Sequence, residues 1–334
     1  MSSVSRREFL GSAGAGLAGA TLALPVFAQS PAYPNKPILL KVAFPAGGPA
    51  DASLRAAGVV LQRELAQPLI ADNMTGANGS IATMAVAKAQ ADGYTLLGTT
   101  GIDFMVAPFM VASAKYVPTD FRLLGITGMS DFALVSSPSH SFKNVDELIE
   151  YAKKPGSKEL SIAHWGTGSA PHIVAADFQE RVGVKFLEVP YKGAAPAMAD
   201  LAGSQIDLTF VPLGGGPATG MIKAGKMKAI GVASAKRVAA LPNVPAFAES
   251  RTLKDFQYAL WAGVLAPPKT PDAVVARMNH AMNNWLKSAE NQERIAANIS
   301  RQLDPMTPEQ AAEFLRGEYE KFNRVARSLK LQSR

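Results

Sequence analysis

The stretch ILLKVAFPAGGPADASLRAAGVVLQREL, residues 38–65, contains in order a buried strand, a glycine-rich loop and an amphipathic helix. Residues 38–44 are apolar apart from Lys41, which is typical of a buried strand. Turn-forming residues occupy 45–51. Apolar residues then recur at helical spacing on one face: Leu54, Ala57, Gly58, Leu61 and Leu65. A strand, loop and helix in this order form the repeating unit of an α/β protein.

The same unit recurs at LSIAHWGTGSAPHIVAADFQER, residues 160–181, where a strand enters the glycine loop at 166–172. Ser169 is expected to cap the following helix, with Pro171 in its first turn. Asn144 is expected to cap a further helix that ends before Pro155. More strands are predicted at 69–71, 94–99, 132–136, 186–189, 206–210 and 228–233. This alternation predicts an α/β fold with mainly parallel strands, followed by a helical C-terminal third.

Composition narrows the class of protein. The 334 residues are 48% hydrophobic and 18% charged, which suits a globular chain of roughly two domains. The absence of cysteine excludes disulfides, thiolate catalysis and cysteine zinc sites. A net charge of +7 favours anionic partners. Lysine and arginine are scattered, without a basic run interleaved with aromatic residues, so nucleic acid is not an expected partner.

The first 28 residues have the pattern of a twin-arginine export signal. Arg6 and Arg7 precede an apolar, Gly/Ala-rich stretch at 11–24, and a short Val-Phe-Ala sequence ends at Ala28. Cleavage after Ala28 would place the protein in the periplasm. A retained membrane anchor is the alternative, but the apolar stretch is short for a bilayer span. Residues 14–19 match the dinucleotide fingerprint but lack the preceding strand that it requires.

Tests for catalytic motifs mostly fail. The chain has no Gly-x-Ser-x-Gly elbow and no His-Glu-x-x-His motif, and its four histidines lack metal-site spacing. Residues 220–227 resemble a phosphate-binding loop, but Met227 replaces the hydroxyl that would bind magnesium. No enzyme activity, metal or cofactor is therefore expected. The rival interpretation is an exported hydrolase that uses Ser169 and His172.

Glycine loops that lead into helices suit anion binding. Glycine lets backbone N–H groups turn inward, and the helix N-terminus adds a partial positive charge. Two such loops facing each other predict a cleft for a carboxylate, although ordinary turns use glycine too. A side chain at Gly48 or Gly168 is expected to fill the space that the carboxylate needs.

Six blocks carry a likeness to a known family: 44–51, 73–79, 91–97, 166–169 with His172, 189–193 and 241–245. In this order they resemble the Bug family, the extracytoplasmic receptors of tripartite tricarboxylate transporters. The resemblance implies a two-lobed α/β periplasmic-binding-protein fold of type II, in which parallel-rich sheets are flanked by helices and the ligand cleft lies between the lobes. Residues 29–130 and 246–334 are expected to form lobe 1, and 131–245 lobe 2.

The resemblance also implies the site residues, because each glycine loop of this family grips a carboxylate. The first loop corresponds to Ala46, Gly47, Gly48, Ala50 and Asp51, and the second to Gly166, Thr167, Gly168, Ser169 and His172. Thr99 and Thr100 are expected to face the cleft from the end of a strand, and Asp207 from a lobe 2 strand. For Asp51 and Asp207, helix capping or loop bracing stays open beside ligand contact.

The implied partners are a small carboxylate and the membrane permease subunits of a tripartite carboxylate transporter. The ligand class is a dicarboxylate, a tricarboxylate or an aromatic acid, and the expected oligomeric state is a monomer. A role as a ligand-binding sensor stays open. The sequence departs from the family pattern at 102–105, where Asp103 would repel a second carboxylate or meet an amino group.

Overall fold

The computed structural model describes residues 33–47, 49–214, 217–298 and 300–329, so the predicted export signal lies outside the described residues. The strands are β1 (Ile38–Val42), β2 (Leu69–Asn73), β3 (Thr95–Thr100), β4 (Arg122–Ser136), β5 (Ser161–His164), β6 (Leu187–Pro190), β7 (Leu208–Pro212), β8 (Lys228–Val232) and β9 (Ala259–Ala266). The helices are α1 (Pro49–Leu65), α2 (Ser80–Ala87), α3 (Gly101–Met110), α4 (Val145–Lys153), α5 (Ala170–Val182), α6 (Ala194–Ala202), α7 (Ala218–Lys223), α8 (Asp272–Lys287), α9 (Ala289–Asn298) and α10 (Pro308–Ser328).

The strands form one hydrogen-bonded sheet in the order β2-β1-β3-β9-β4-β7-β5-β6, with β8 also paired to β4. The pairs β1–β2, β1–β3, β5–β6 and β5–β7 are parallel. Strand β4 is antiparallel to β9, β7 and β8. The predicted α/β class is confirmed. The sheet is mixed, because antiparallel pairs are as frequent as parallel pairs among the described strands, where mainly parallel pairing was predicted.

Strand β4 changes partners along its length. Its residues up to Asp131 pair with β9, whereas Phe132 and the residues after it pair with β7 and β8. The carboxyl ends of β1 and β3 therefore point toward this change from one half of the sheet, and those of β5 and β7 point toward it from the other. We call this point the β4 crossover. Ligands of α/β sheets bind at carboxyl strand ends, so the crossover is where a site is expected.

Segments with regular hydrophobic spacing have the secondary structure that was predicted for them, whereas the glycine-containing first part of β4 was not predicted. All five apolar residues of the predicted α1 stripe are buried. Asn144 caps α4 as expected, because its Oδ1 accepts from the N–H of Glu147 at 2.9 Å. The predicted strand at 132–136 is only the last third of β4, and neither β9 nor α3 was predicted. Ser169 holds the cap position of α5, but its side chain makes no capping hydrogen bond.

Two hydrophobic cores support the two halves of the sheet. Under β1 and β3, Leu40 and Leu54 pack in one cluster with Met278 and Trp285 of α8. On the other side an aromatic group surrounds Phe178, whose ring lies 5.5–6.2 Å from its neighbours Phe210, Phe247 and Phe256. Because residues 247–256 pack on the β7 side, we propose that the second lobe boundary lies near residue 258 rather than at 246.

The C-terminal helix α10 joins both halves of the molecule. Its N-terminus carries a capping box formed by Thr307 and Gln310. Phe322 of α10 packs 6.0 Å from Tyr258, and Glu318 accepts a hydrogen bond from the Trp261 indole at 2.9 Å. Neither α10 nor any other helix within the described ranges is long and apolar enough to cross a membrane.

Replacing Gly125 of β4 with alanine should lower the free energy of unfolding by about 1–3 kcal/mol, the usual cost of overpacking. A Cβ there would lie 2.6 Å from Cβ of Met282, whose position is fixed by the α8 backbone. Gly317→Ala is the control, since a Cβ at that exposed α10 position meets nothing within 4 Å. It should raise stability by up to about 1 kcal/mol. Urea unfolding measures both, and equal effects would contradict the packing argument.

Candidate functional site

The first glycine loop is held from below by Asp51, which is 1% exposed in the first turn of α1. Its carboxylate accepts from the N–H of Gly47 at 2.9 Å, from Arg55 Nε at 2.8 Å and from Asn73 Nδ2 at 2.9 Å. Burial alone would raise the pKa of Asp51, but the hydrogen bonds from Arg55, Asn73 and Gly47 outweigh it and hold the pKa below its ordinary value. Asp51 is therefore placed as a brace of this loop.

The other predicted residues of this loop differ in their exposure to solvent. Ala46 and Gly47 are exposed, Ala50 is half-buried, and Gly48 lies outside the described residues. Gly47 has φ +80°, and a Cβ on it would meet nothing within 4 Å. Glycine is therefore needed here for backbone conformation rather than for space.

Thr99 and Thr100 end β3 at the β4 crossover, and both are buried. Thr100 lies in register with Ala262, which is itself in register with Gly128 of β4. The Thr100 hydroxyl donates to Oδ2 of Asp103 at 2.5 Å. Burial raises the pKa of Asp103, and the bond from Thr100 opposes that rise only in part. Asp103, in the first turn of α3, is thus hydrogen-bonded to the last residue of β3.

The second glycine loop is braced by His172. The N–H of Gly168 donates to Nδ1 of His172 at 2.9 Å, which leaves the proton of the neutral ring on Nε2. Nε2 lies 3.8 Å from Oε2 of Glu188. Burial lowers the pKa of His172, neighbouring His164 lowers it further, and Glu188 opposes both. His172 is therefore a neutral acceptor that fixes the loop.

The same loop touches the other half of the molecule through Gly168. Its φ is +78°, and a Cβ built there would lie 2.4 Å from Cε of Met110, the last residue of α3. Gly166 also has a positive φ, of +106°, and Thr167 is exposed. The absent side chain at Gly168 thus allows the second loop to lie directly on α3.

Two buried polar atoms in this loop have no hydrogen-bond partner among the described residues: Trp165 Nε1 and Ser169 Oγ. Buried donors without partners are uncommon in folded proteins and call for a ligand or ordered water. They mark the second loop as one wall of a polar site. The lack of a partner on Ser169 also means that it makes no hydrogen bond to His172, so the pair required by the hydrolase interpretation is not formed.

A small cavity that opens to solvent lies at the β4 crossover, and the space around it, open solvent included, is about 410 Å³. Its walls come from the start of α1, the end of β3, the middle of β4 and β9, the segment after β7, and the end of α9. The lining residues are Ala50, Ser53, Thr100, Gly128, Met129, Ser130, Gly214, Leu260, Ala262, Arg294 and Ser300. Only Ala50 and Thr100 were predicted as site residues. Gly214 begins the glycine run at 214–216, for which the sequence leaves both a cleft lining and a flexible loop open. The other lining residues follow from tertiary structure.

The cavity wall is tied across the crossover by a hydrogen bond from the N–H of Gly214 to Ser130 Oγ, at 2.5 Å. Directly beside it, Asp131 forms an ion pair with Arg301. The N–H of Arg301 also donates to the carbonyl of Met129 at 2.8 Å. The segment after α9 is thereby fixed against β4.

Asp207 corrects a prediction. It precedes β7 and accepts from both the N–H and the hydroxyl of Ser161 at 2.8 Å, at the amino end of β5. Its other oxygen lies 2.7 Å from Nε2 of His140. The second glycine loop follows the carboxyl end of β5, so Asp207 lies at the opposite edge of the sheet, and its expected place beside the cleft is wrong. Asp207 instead braces the start of β5.

One cluster has ligand types that can hold a metal. His164, His172 and Glu188 place one ligand atom each within 4.8 Å of one another, a grouping that sequence spacing did not reveal. Metal binding by Nε2 of His172 would require its proton to move to Nδ1, which already accepts from Gly168. The hydrogen bonding of this cluster therefore favours loop support over metal coordination.

The comparisons with known proteins agree on one family. A family model described as the tripartite tricarboxylate transporter family receptor, TctC, matches residues 54–331. The chain is 31% identical to the periplasmic binding protein BugD, with a TM-score of 0.70 and coverage of 90% of this chain and 100% of that one. It is 26% identical to MatC from Rhodopseudomonas palustris with bound malate, at a TM-score of 0.71, covering 88% and 100%. A structure of Rpa4515 from R. palustris with adipate is 28% identical, at a TM-score of 0.72, covering 90% and 100%.

Proposed function

Because the chain belongs to the tripartite tricarboxylate transporter receptor family, whose members are solute-binding proteins rather than enzymes, we propose that it captures a small carboxylate for a tripartite carboxylate permease. The observation that carries the proposal is the convergence at the β4 crossover. The end of β3 supplies Thr100, the segment after β7 supplies Gly214, and the middle of β4 supplies Ser130 to one cavity.

The chemistry of this cavity suits a carboxylate. Four hydroxyl residues, Ser53, Thr100, Ser130 and Ser300, line it together with Arg294, although the Thr100 hydroxyl already donates to Asp103. The second glycine loop does not line this cavity, but it holds two buried donors without partners among the described residues, on Trp165 and Ser169. Hydroxyls, N–H groups and one guanidinium are the groups that recognise anionic oxygens. Related structures hold malate and adipate, so a dicarboxylate is the proposed ligand class.

The proposed location is the periplasm, as for the binding protein BugD. Residues 1–28, with their twin arginines, support export followed by cleavage after Ala28. In this proposal residues 29–130 belong to lobe 1, and lobe 2 begins at 131, where β4 changes partners. The receptor acts as a monomer that delivers its ligand to the permease subunits.

The test is a thermal-shift screen of the chain from Gln29 onward against malate, adipate, citrate, benzoate and glutamate, with succinamide and adipamide as uncharged controls. A ligand that binds only the folded state adds about 2.7 kcal/mol of stability at 100 times its Kd. We expect dose-dependent stabilisation by at least one dicarboxylate and none by the diamides. The protein is unfolded, dialysed and refolded first, which removes any co-purified ligand. No stabilisation by any acid would overturn the proposal.

A further inference from the structure

A cationic side chain lies in the cavity at the β4 crossover. Arg294 extends from α9 onto β4, where Gly128 makes room for it. A Cβ built on Gly128 would lie 2.8 Å from Nη1 and 3.4 Å from Nη2 of Arg294. The same Cβ would lie 3.0 Å from Oγ of Ser53. The guanidinium therefore occupies the space beside β4 that a side chain at position 128 would fill.

The surroundings of Arg294 give this part of the cavity a positive character. Among the described residues that line the cavity, none is acidic. Asp131, which follows Ser130, is engaged by Arg301, and Asp103 receives the hydroxyl of Thr100. Burial lowers the pKa of Arg294 from its ordinary value, so the protein disfavours its charge and an anion beside it would be stabilising.

One hydroxyl of the cavity wall can complete an anion site. Ser130 Oγ accepts from the N–H of Gly214. The proton of Ser53 is instead directed to Thr127 Oγ1 at 3.0 Å, because Thr127 donates its own proton to the carbonyl of Ala262. The Ser130 proton therefore points away from Gly214 and is available to an acceptor. A guanidinium holds both oxygens of a carboxylate through two parallel N–H groups, and a hydroxyl of the same cavity wall can add a further donor.

We propose that Arg294 is the charged anchor of the ligand and pairs one carboxylate of a dicarboxylate over Gly128. The second carboxylate is left for the loop at 166–169, where Trp165 and Ser169 supply donors. This inference rests on the proposed function and makes it more specific, since it names the residue that holds one of the two carboxylates. Nothing in the local sequence of α9 indicates such a role, because Arg294 lies on a helix of mixed charge.

The experiment is isothermal titration of malate and adipate into wild-type protein and the variants Arg294→Gln, Arg294→Lys and Arg63→Gln. Arg63 is the matched control. It lies on the exposed side of α1 and pairs at 3.0 Å with Glu290, which belongs to α9 as Arg294 does. We expect Arg294→Gln to weaken binding by about 10- to 100-fold, as for a lost charge-assisted hydrogen bond. Arg294→Lys should retain part of the affinity, and Arg63→Gln all of it.

A structural role for Arg294 gives a different result. If the side chain only supported the fold, Arg294→Gln would lower the melting temperature of the ligand-free protein, and Arg294→Lys would bind no better than Arg294→Gln. We expect an unchanged melting temperature instead. Wild-type protein that binds a diacid as tightly as Arg294→Gln does would overturn this inference alone. Wild-type protein that binds no acid would overturn the proposed function, and the inference with it.

Discussion

A leucine at Gly168 should weaken ligand binding by more than about 100-fold, a loss of at least about 2.7 kcal/mol. The residue has φ +78°, which costs a side-chain-bearing residue of order 1–3 kcal/mol. Its Cβ would also lie 2.4 Å from Cε of Met110 and 2.7 Å from its sulfur. Either the Met110 side chain would have to turn aside, or the second loop, with the donors of Trp165 and Ser169, would have to move away from α3. Titration of adipate into Gly168→Leu measures the loss.

Two variants separate the backbone conformation from the contact with Met110. Gly168→Ala should lose less affinity than the leucine variant, and Met110→Ala in the same chain should restore part of that loss. Gly183→Ala is the control, because Gly183 ends α5 with φ +64° and open space around its Cβ. It should lower stability by about 1 kcal/mol and leave affinity unchanged. Equal affinity losses at 168 and 183 would show that contact with Met110 is irrelevant.

Replacing Asp51 with alanine should destabilise the protein by about 2–4 kcal/mol at pH 7, because it removes a buried carboxylate that accepts hydrogen bonds from several donors of the first loop and its neighbours. The donors are the N–H of Gly47 and the amide of Asn73, while half-exposed Arg55 can turn to water. Affinity should fall as well, since Gly47 loses its anchor. Asp272→Asn is the control: its carboxylate pairs with Arg122 but is 91% exposed. Its effect should stay below about 1 kcal/mol.

The acid dependence of stability distinguishes Asp51 further. Its pKa is lower in the folded protein than in the unfolded chain, so its stabilisation is complete above the unfolded value of about 3.9. That stabilisation is lost as pH falls through the folded pKa. The stability difference between wild type and Asp51→Asn should therefore shrink from pH 7 to pH 3 in urea unfolding. A difference that does not change with pH would contradict an ionised Asp51.

Short-range sequence signals, such as helical spacing and a capping side chain, predicted the parts of the fold that neighbouring residues determine. The α1 stripe and the Asn144 cap follow from helical spacing and from a single side chain, and both were predicted. Strand β4 contains Gly125 and Gly128 beside register shifts, so its first two thirds have no strand-like alternation. The tight contacts of these glycines with Met282 and Arg294 explain why the positions lack side chains, and both contacts are tertiary.

The site was predicted less well than the fold for a similar reason. Resemblance to the family indicated the glycine loops, and the structure places Ala50 and Thr100 at the cavity. Loop bracing by Asp51 was left open beside ligand contact, whereas nothing indicated that His172 also uses a hydrogen bond to fix its loop. Arg294 enters the cavity from a helix distant in sequence from every predicted site residue. The space expected for a carboxylate at Gly168 is taken by Met110.

The position of β9 also bears on how the chain is made. Residues 259–266 form a strand between β3 and β4, so the middle of the sheet is supplied by a late part of the sequence. A nascent chain that has reached residue 250 cannot join its two halves of sheet through β9. Pairings this distant in sequence form slowly. Folding of the middle of the sheet should therefore be completed only after synthesis has passed residue 266. A fragment that ends before β9 should be insoluble or bound to chaperones.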